Sequence, residues 1–184
     1  MSEKYKFNNK EGVYFITPTI VGWIDLFTRK EYCELVLDSL RYCQREKGLV
    51  IHAWCIMPSH MHLIVSSTGK NQLSDIMRDF KKFTSMHIIS EINASNESRK
   101  EWLLREFETA GSHLKRISHY KVWQDGNHPI ELDTNEMMEQ KLDYVHDNPV
   151  VSGIVYRAED YCYSSAVDYG GGEGLLEIEK IEWG

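Results

Sequence analysis

No stretch of this chain approaches the ~20 consecutive apolar residues that span a bilayer, so no membrane-crossing helix is expected. Its four cysteines, Cys33, Cys43, Cys55 and Cys162, form no C-x-x-C pair and no zinc-ligand spacing. That argues against a disulfide framework, and reduced thiols in a cytoplasmic protein are expected. A basic excess is also missing: 21 Lys and Arg stand against 28 Asp and Glu, for a net charge of −7. Taken alone, that balance argues against a nucleic-acid partner, since such binders usually carry a basic excess. Total charge is a weak guide to a local patch, however, because much of the acidity is concentrated in residues 131–147 and 173–182. The opening MSEKYKFNNKEG has no apolar core, and no signal peptide is expected. No internal repeat and no linker divides the chain.

What is present suits one domain: 184 residues, 42% of them hydrophobic, can bury a sizeable core. The chain is organised around Pro58-Ser59-His60-Met61-His62-Leu63-Ile64-Val65. On a strand, side chains alternate faces, so His60 and His62 point one way and Met61 the other. With a rise of ~3.3 Å per residue, the two imidazoles are close enough to share one divalent metal. The plain alternative is a strand with two surface histidines. The setting favours a site: 50–56 reads as a strand and 57–59 as a turn, so the pair sits where a tight hairpin re-enters a sheet.

Around this hairpin the elements fall in order. Residues 12–23, rich in β-branched and aromatic types, form a first strand with Pro18 at an edge or bulge. A helix capped by Thr28 runs to about Lys47, where Gly48 stops it. A second helix spans 72–92, with Leu73, Ile76, Met77, Phe80, Phe83 and Ile88 as its apolar stripe. Arg78, Lys81 and Lys82 lie on its other side, as a solvated face or a phosphate-binding one. Residues 93–113 read as an insertion or lid, and 118–124 (SHYKVWQ) as a fourth strand followed by turn chemistry. Thr134 caps a third helix that ends near Asn148, because Pro149 disfavours helix before it. The order β-α-β-β-α-β plus a helix is the ferredoxin-like α+β pattern. The core covers about 12–170, and an acidic tail occupies 171–184.

The last helix carries Tyr144-Val145-His146-Asp147-Asn148. Tyr144 and Asn148, four apart, share a face, and Lys141 lies one turn before Tyr144. If that helix crosses the sheet face bearing His60 and His62, a hydroxyl and an amide oxygen approach the histidine pair. The alternative is a tyrosine half-packed on the core, with Asn148 merely ending the helix.

These blocks together resemble a known family. PSHMHLIV is similar to the HUH motif (His, hydrophobic, His) of single-tyrosine transposases and relaxases. YVHDNPV, followed by Ser152-Gly153-Ile154-Val155 and by Glu159-Asp160-Tyr161-x-Tyr163-Ser164-Ser165-Ala166, resembles the tyrosine helix and C-terminal signature of the REP-associated tyrosine transposases. Val21-Gly22-Trp23-Ile24-Asp25-Leu26-Phe27, Val122-Trp123-Gln124 and Asn127-His128-Pro129-Ile130 fit the same family. The resemblance implies a ferredoxin-like enzyme that cuts and rejoins single-stranded DNA. By position, it implies that Tyr144 is the nucleophile and that His60, His62 and Asn148 hold a divalent metal, Mg²⁺ or Mn²⁺. The partner it implies is single-stranded, hairpin-forming DNA, and no membrane. A homodimer is compatible with it, with Tyr144 serving its own histidine pair or a partner's.

A phenol with a pKa of about 10 is a poor nucleophile at neutral pH, and phosphodiester cleavage builds charge on non-bridging oxygens. A metal on two neutral imidazoles and one amide oxygen would meet the second difficulty and keep open positions for phosphate. Attack by Tyr144 would leave a 5′-phosphotyrosyl link and a 3′-OH, conserving the bond energy for rejoining. Water and His146 are the candidates for proton acceptor. Trp54, Trp123 and Tyr120 are candidate stacking rings, with Trp54 better suited to the core, and Arg78, Lys81, Lys82, Lys115, Arg116 and Lys141 are candidate DNA contacts. Two other readings compete: a domesticated hairpin-binding relative that no longer cuts, and a ferredoxin-like domain that never meets DNA.

Overall fold

A computed structural model describes residues 7–112 and 120–181. Four strands form one antiparallel sheet in the order β2-β3-β1-β4: β1 (Tyr14–Ile16), β2 (Leu49–Met57), β3 (His60–Ser67) and β4 (Ile130–Glu131). That order, with a helix between β1 and β2 and helices between β3 and β4, is the ferredoxin-like arrangement expected from the sequence. The helices are α1 (Lys30–Tyr42), α2 (Leu73–Ala94), α3 (Lys100–Gly111), α4 (Asn135–Val151) and a short α5 (Ala166–Tyr169).

The β2–β3 hairpin is the spine of the sheet. Met57 pairs with His60 across its turn and Ile56 with Met61. Both strands are almost wholly buried, as expected for a sheet covered on two faces. Odd-numbered β3 residues Met61, Leu63 and Val65 face the larger core, which α1, α2 and α3 cover with Val36, Leu40, Phe80, Ile88 and Phe107. The other face collects Phe15, Ala53, Cys55, Met57 and Ile64, and α4 covers it with Leu142 and Val145. Even-numbered His60 and His62 belong to this second face, because β-strand side chains alternate.

α1 continues through a π turn at Cys43–Lys47 and stops at Gly48, whose φ of 77° is left-handed. A side chain there would put its Cβ 2.4 Å from Thr68 Oγ1, so the stop requires glycine. Thr28, expected as the cap of α1, instead donates to Asp25 O, and Arg29 takes the N-cap position without a side-chain bond. Thr134 caps α4 as the sequence indicates, its hydroxyl accepting from Met137 N at 3.2 Å. The C-terminal stretch lies along the outer edge of β2. Ile56 N donates to Tyr163 O, Ser165 N to Trp54 O and Glu179 N to Ile51 O, each at 2.9 Å. The edge donors and acceptors of β2 are thereby paired.

Further sequence expectations are corrected, beginning with the first strand, which is confined to Tyr14–Ile16 and not 12–23. The fourth strand is Ile130–Glu131 and not 118–124. Of that stretch, residues 120–124 are described, and Trp123 makes a single bridge to Ile20 while Val122 and Trp123 are buried against the larger core. α4 runs through Pro149 to Val151, with Pro149 buried, so packing on the sheet overrides the local cost of an internal proline. Phe83 is 47% exposed, and the buried stripe of α2 passes through Thr84 instead. Separately, the segment read as an insertion or lid carries α3, whose Leu103 and Phe107 have no exposed surface. Phe107→Ala should therefore cost about 3–5 kcal/mol of unfolding free energy, measured by urea denaturation. A loss within ~0.5 kcal/mol, the range of surface substitutions, would mean that α3 rides on the fold without supporting it.

Candidate active site

β3 delivers two imidazoles to the α4 face. His60 Nε2 and His62 Nε2 lie 3.0 Å apart, so one ring donates to the other's lone pair. Each Nδ1 meets a hydroxyl: Ser59 Oγ is 3.1 Å from His60 Nδ1, and Thr17 Oγ1 is 3.2 Å from His62 Nδ1. Such outer partners fix ring orientation and leave the Nε2 atoms turned toward each other. Burial holds both imidazoles below the usual histidine range. For His62 the value is pushed down to about 3 by burial, reinforced by His60 and Lys141 and opposed by a hydrogen bond with Asn148. Both rings are therefore neutral at pH 7, the protonation state in which imidazole is a ligand.

α4 brings the remaining groups to the same place within one chain. The Tyr144 ring lies edge-on to His62 at 5.1 Å between centroids and edge-on to Phe15 at 5.9 Å, with the residue 48% exposed. Phe15 in turn stacks on His62 at 5.6 Å. Lys141 Nζ sits 4.9 Å from the Phe15 ring centre and 5.3 Å from that of Tyr144, which places a cation beside the tyrosine. Asn148 Nδ2 donates to Tyr144 O at 2.5 Å, and its contact with His62 marks its place next to the imidazoles. Two neutral nitrogens and an amide oxygen suit a divalent ion such as Mn²⁺ or Mg²⁺, and the convergent Nε2 atoms are the observation that fits one. Among the described residues no group of three or more His, Cys, Asp or Glu adds a carboxylate or thiolate to this set.

The other sequence candidates lie elsewhere. Arg78 is tied to Asp75 at 2.6 Å and to Asp79 at 2.9 Å. Lys81 donates to Gln124 O at 3.1 Å and to Gly126 O at 2.5 Å, and burial pushes its ammonium down to about 8. Trp123 is 4% exposed and donates its indole N–H to Thr84 Oγ1, so its ring faces the core. Trp54 has no exposed surface. Lys82 is exposed and lines, with Arg78, Lys81, Tyr120 and Lys121, a groove of about 550 Å³ between α2 and the 120–127 loop. Lys115 and Arg116 lie outside the described residues. His146 bonds Ser165 Oγ at 2.9 Å and packs on Tyr169 at 5.0 Å. Two positions on from Tyr144, it is about 200° around the helix and faces away from the tyrosine. Sequence reasoning missed Thr17, Ser59 and Phe15. The β1–β3 register, Ile16 opposite Leu63, is what carries Thr17 to His62, and no local signal encodes it.

A ferredoxin-like sheet with a histidine pair on one face, under a helix that presents a tyrosine and an asparagine, defines a compact class of domains. Within it, this chain belongs to the IS200-like transposases, whose family pattern matches residues 25–120. The match includes His60 and His62 and ends before α4. A REP-associated tyrosine transposase of Escherichia coli is 24% identical over 167 residues, 90% of this chain and 82% of that protein. The fold is shared with a solved REP-associated tyrosine transposase bound to a REP hairpin, at a TM-score of 0.65 and 20% identity, over 100% of this chain and 95% of the other. No described helix is long and apolar enough to cross a membrane.

The burial of Lys81 against the Gln124 and Gly126 carbonyls has a measurable consequence. Its folded pKa, about 8, is below the ~10.4 of an unfolded lysine, so between those values the unfolded chain binds more protons and stability rises with pH. The unfolding free energy of the wild type should gain on that of Lys81→Met by about 1–2 kcal/mol from pH 8 to 10. Parallel pH profiles would mean that Lys81 is a solvated lysine free for other contacts.

Proposed function

We propose that this transposase cuts and rejoins single-stranded DNA beside a hairpin, through a covalent 5′-phosphotyrosine on Tyr144. The observation that carries this reading is the arrangement of Tyr144, Asn148 and Lys141 over the His60–His62 pair on one face of the sheet. The hairpin-bound relative and the family membership support hairpin-forming DNA as the substrate class.

Each residue has a separable task. The Tyr144 hydroxyl loses its proton to solvent and forms the new O–P bond, while the P–O3′ bond breaks and the leaving 3′ oxygen takes a proton. The products are a 5′-phosphotyrosyl strand and a free 3′-OH, and attack by another 3′-OH reverses the step and joins strands without a nucleotide cofactor. Helix α4, anchored by Leu142 and Val145, fixes the tyrosine ring, so little ordering cost remains when DNA arrives. Lys141 places positive charge where the phosphate enters, and Phe15 seals one side of His62 from water. His60, His62 and Asn148 would hold Mg²⁺ or Mn²⁺, which when bound polarises the scissile phosphate. Thr17 and Ser59 keep the imidazoles turned toward that position.

Two experiments test the assignment. Wild-type protein incubated with a labelled single-stranded hairpin DNA and Mn²⁺ should yield a covalent adduct on a denaturing gel. Tyr144→Phe should yield none while binding the same DNA with nearly unchanged affinity, since only a hydroxyl is removed. An adduct in the variant would remove Tyr144 from its role. Separately, His60→Ala and His62→Ala should each weaken Mn²⁺ binding by tenfold or more in calorimetry, the scale seen when a metal site is disturbed. Unchanged affinity in both would make the histidine pair a structural feature of β3.

A further inference from the structure

The loop between β1 and α1 holds a residue that neither the core nor the proposed chemistry uses. Trp23 is 61% exposed, while its neighbours Val21 and Ile24 are buried. Its backbone is left-handed, with φ of 55°, directly after Gly22 at 63°. Trp23 and His128 are the two non-glycine residues with positive φ among the described residues. A bulky residue in that conformation is strained, and such strain collects at functional sites. Burial gives little compensation here, because most of the residue's surface is exposed.

The loop is nevertheless held firmly. Ile20 N donates to Ser59 O, Met61 N to Pro18 O and Phe27 N to Pro58 O, each at 2.9 Å, and Trp23 N donates to Ile20 O at 3.1 Å. These bonds clamp residues 18–27 onto the hairpin turn that carries His60. The indole meets the His60 ring edge-to-face, with 5.5 Å between centroids and planes at 73°. Trp23 is thus an exposed aromatic ring, rigidly placed against one member of the histidine pair.

We propose that Trp23 is a stacking platform for the nucleobase adjoining the scissile phosphate. The inference rests on the single-strand reading of the site given above. Exposed aromatic faces hold unpaired bases with little regard to sequence, and a ring already fixed by its backbone loses little freedom when a base lands on it. Its position beside His60 makes the stacked base part of the nucleotide next to the bond that Tyr144 attacks. That base would fix the register of the strand and so choose which phosphate enters the site.

The test uses the full chain and one DNA probe: a hairpin oligonucleotide selected by binding from a pool with a randomised single-stranded arm, on which the wild type forms the covalent adduct and the position of the cut is mapped. Single abasic nucleotides are then placed along that arm, and binding is measured by fluorescence anisotropy in a Tyr144→Phe background, where no cleavage occurs. One abasic position next to the cut should weaken binding roughly 5- to 150-fold, the range for loss of one base stack. In the Tyr144→Phe/Trp23→Ala protein the same position should cost nothing further, and Trp23→Phe should restore part of the loss. Trp23→Gly should melt close to the wild-type temperature, because glycine accepts the left-handed backbone and this offsets the lost contact with His60. Once its melt shows it folded, it repeats the measurement without the strained backbone. Equal abasic losses with and without the ring would overturn the proposal. So would a fall in Mn²⁺ affinity on removing the ring without any such coupling, which would leave Trp23 a support for His60. If the selected hairpin yields no adduct, the single-strand reading fails and the stacking platform with it. An adduct without coupling to Trp23 sinks the platform alone.

Discussion

Side-chain alternation along β3 is the constraint on which the rest depends. The middle of the strand, Met61 to Val65, is buried on both faces, so its side chains are committed to one layer or the other. Met61, Leu63 and Val65 are locked into the layer beneath α1, α2 and α3, and this leaves His60 and His62 no choice but the α4 side. A slip of one residue would send the histidines into the larger core unpaired and bring Met61 to the site. The pairing of β3 with both β2 and β1 prevents that slip, so the geometry of the imidazoles is set by apolar packing on the opposite face.

The second support is α4, which bridges structure and chemistry on one helix. Leu142 and Val145 hold it to the sheet, and Tyr144 and Asn148 project beside that buried stripe toward β3. The helix keeps its course through Pro149 because the proline is itself packed away from water. Asn148 spends one side-chain N–H on Tyr144 O, which ties the two site residues together. An acidic chain can host such a site because many of its surface cations are committed in pairs, among them Arg78 with Asp75, Lys121 with Asp125 and Arg99 with Asp25. Lys141 differs, being held over aromatic rings at the site.

Much of this was legible in the sequence, for identifiable reasons. The period-2 pattern of PSHMHLIV gives the facing of the histidines, the 3.6-residue spacing of α4 puts Tyr144 and Asn148 on one side, and Thr134 is a local cap that needs no tertiary context. What escaped depends on distant partners. Val122 and Trp123 read as strand residues, yet both are buried in the larger core without forming one, and Trp123 packs against Phe27 and Phe80 and donates to Thr84. The true β4 is two residues long, too short to show any period. Lys81 looks like a surface cation in a helical stripe. It is taken by two backbone carbonyls that reach it from more than forty positions away.

The covering of the β2 edge bears on how the chain is made. Trp54 is paired by Ser165, 111 residues later in the sequence, and His52 is met by Glu179 after 127. At a synthesis rate of about 5–20 residues per second, the hairpin would leave the ribosome roughly 6–20 s before its outer strand gains a neighbour. During that interval LVIHAWCIM, a nine-residue β-prone stretch without Asp, Glu, Lys or Arg, has an unpaired outer edge. Every residue of the candidate site, up to Asn148, is therefore synthesised while the outer edge of β2 still lacks its partners Ser165 and Glu179.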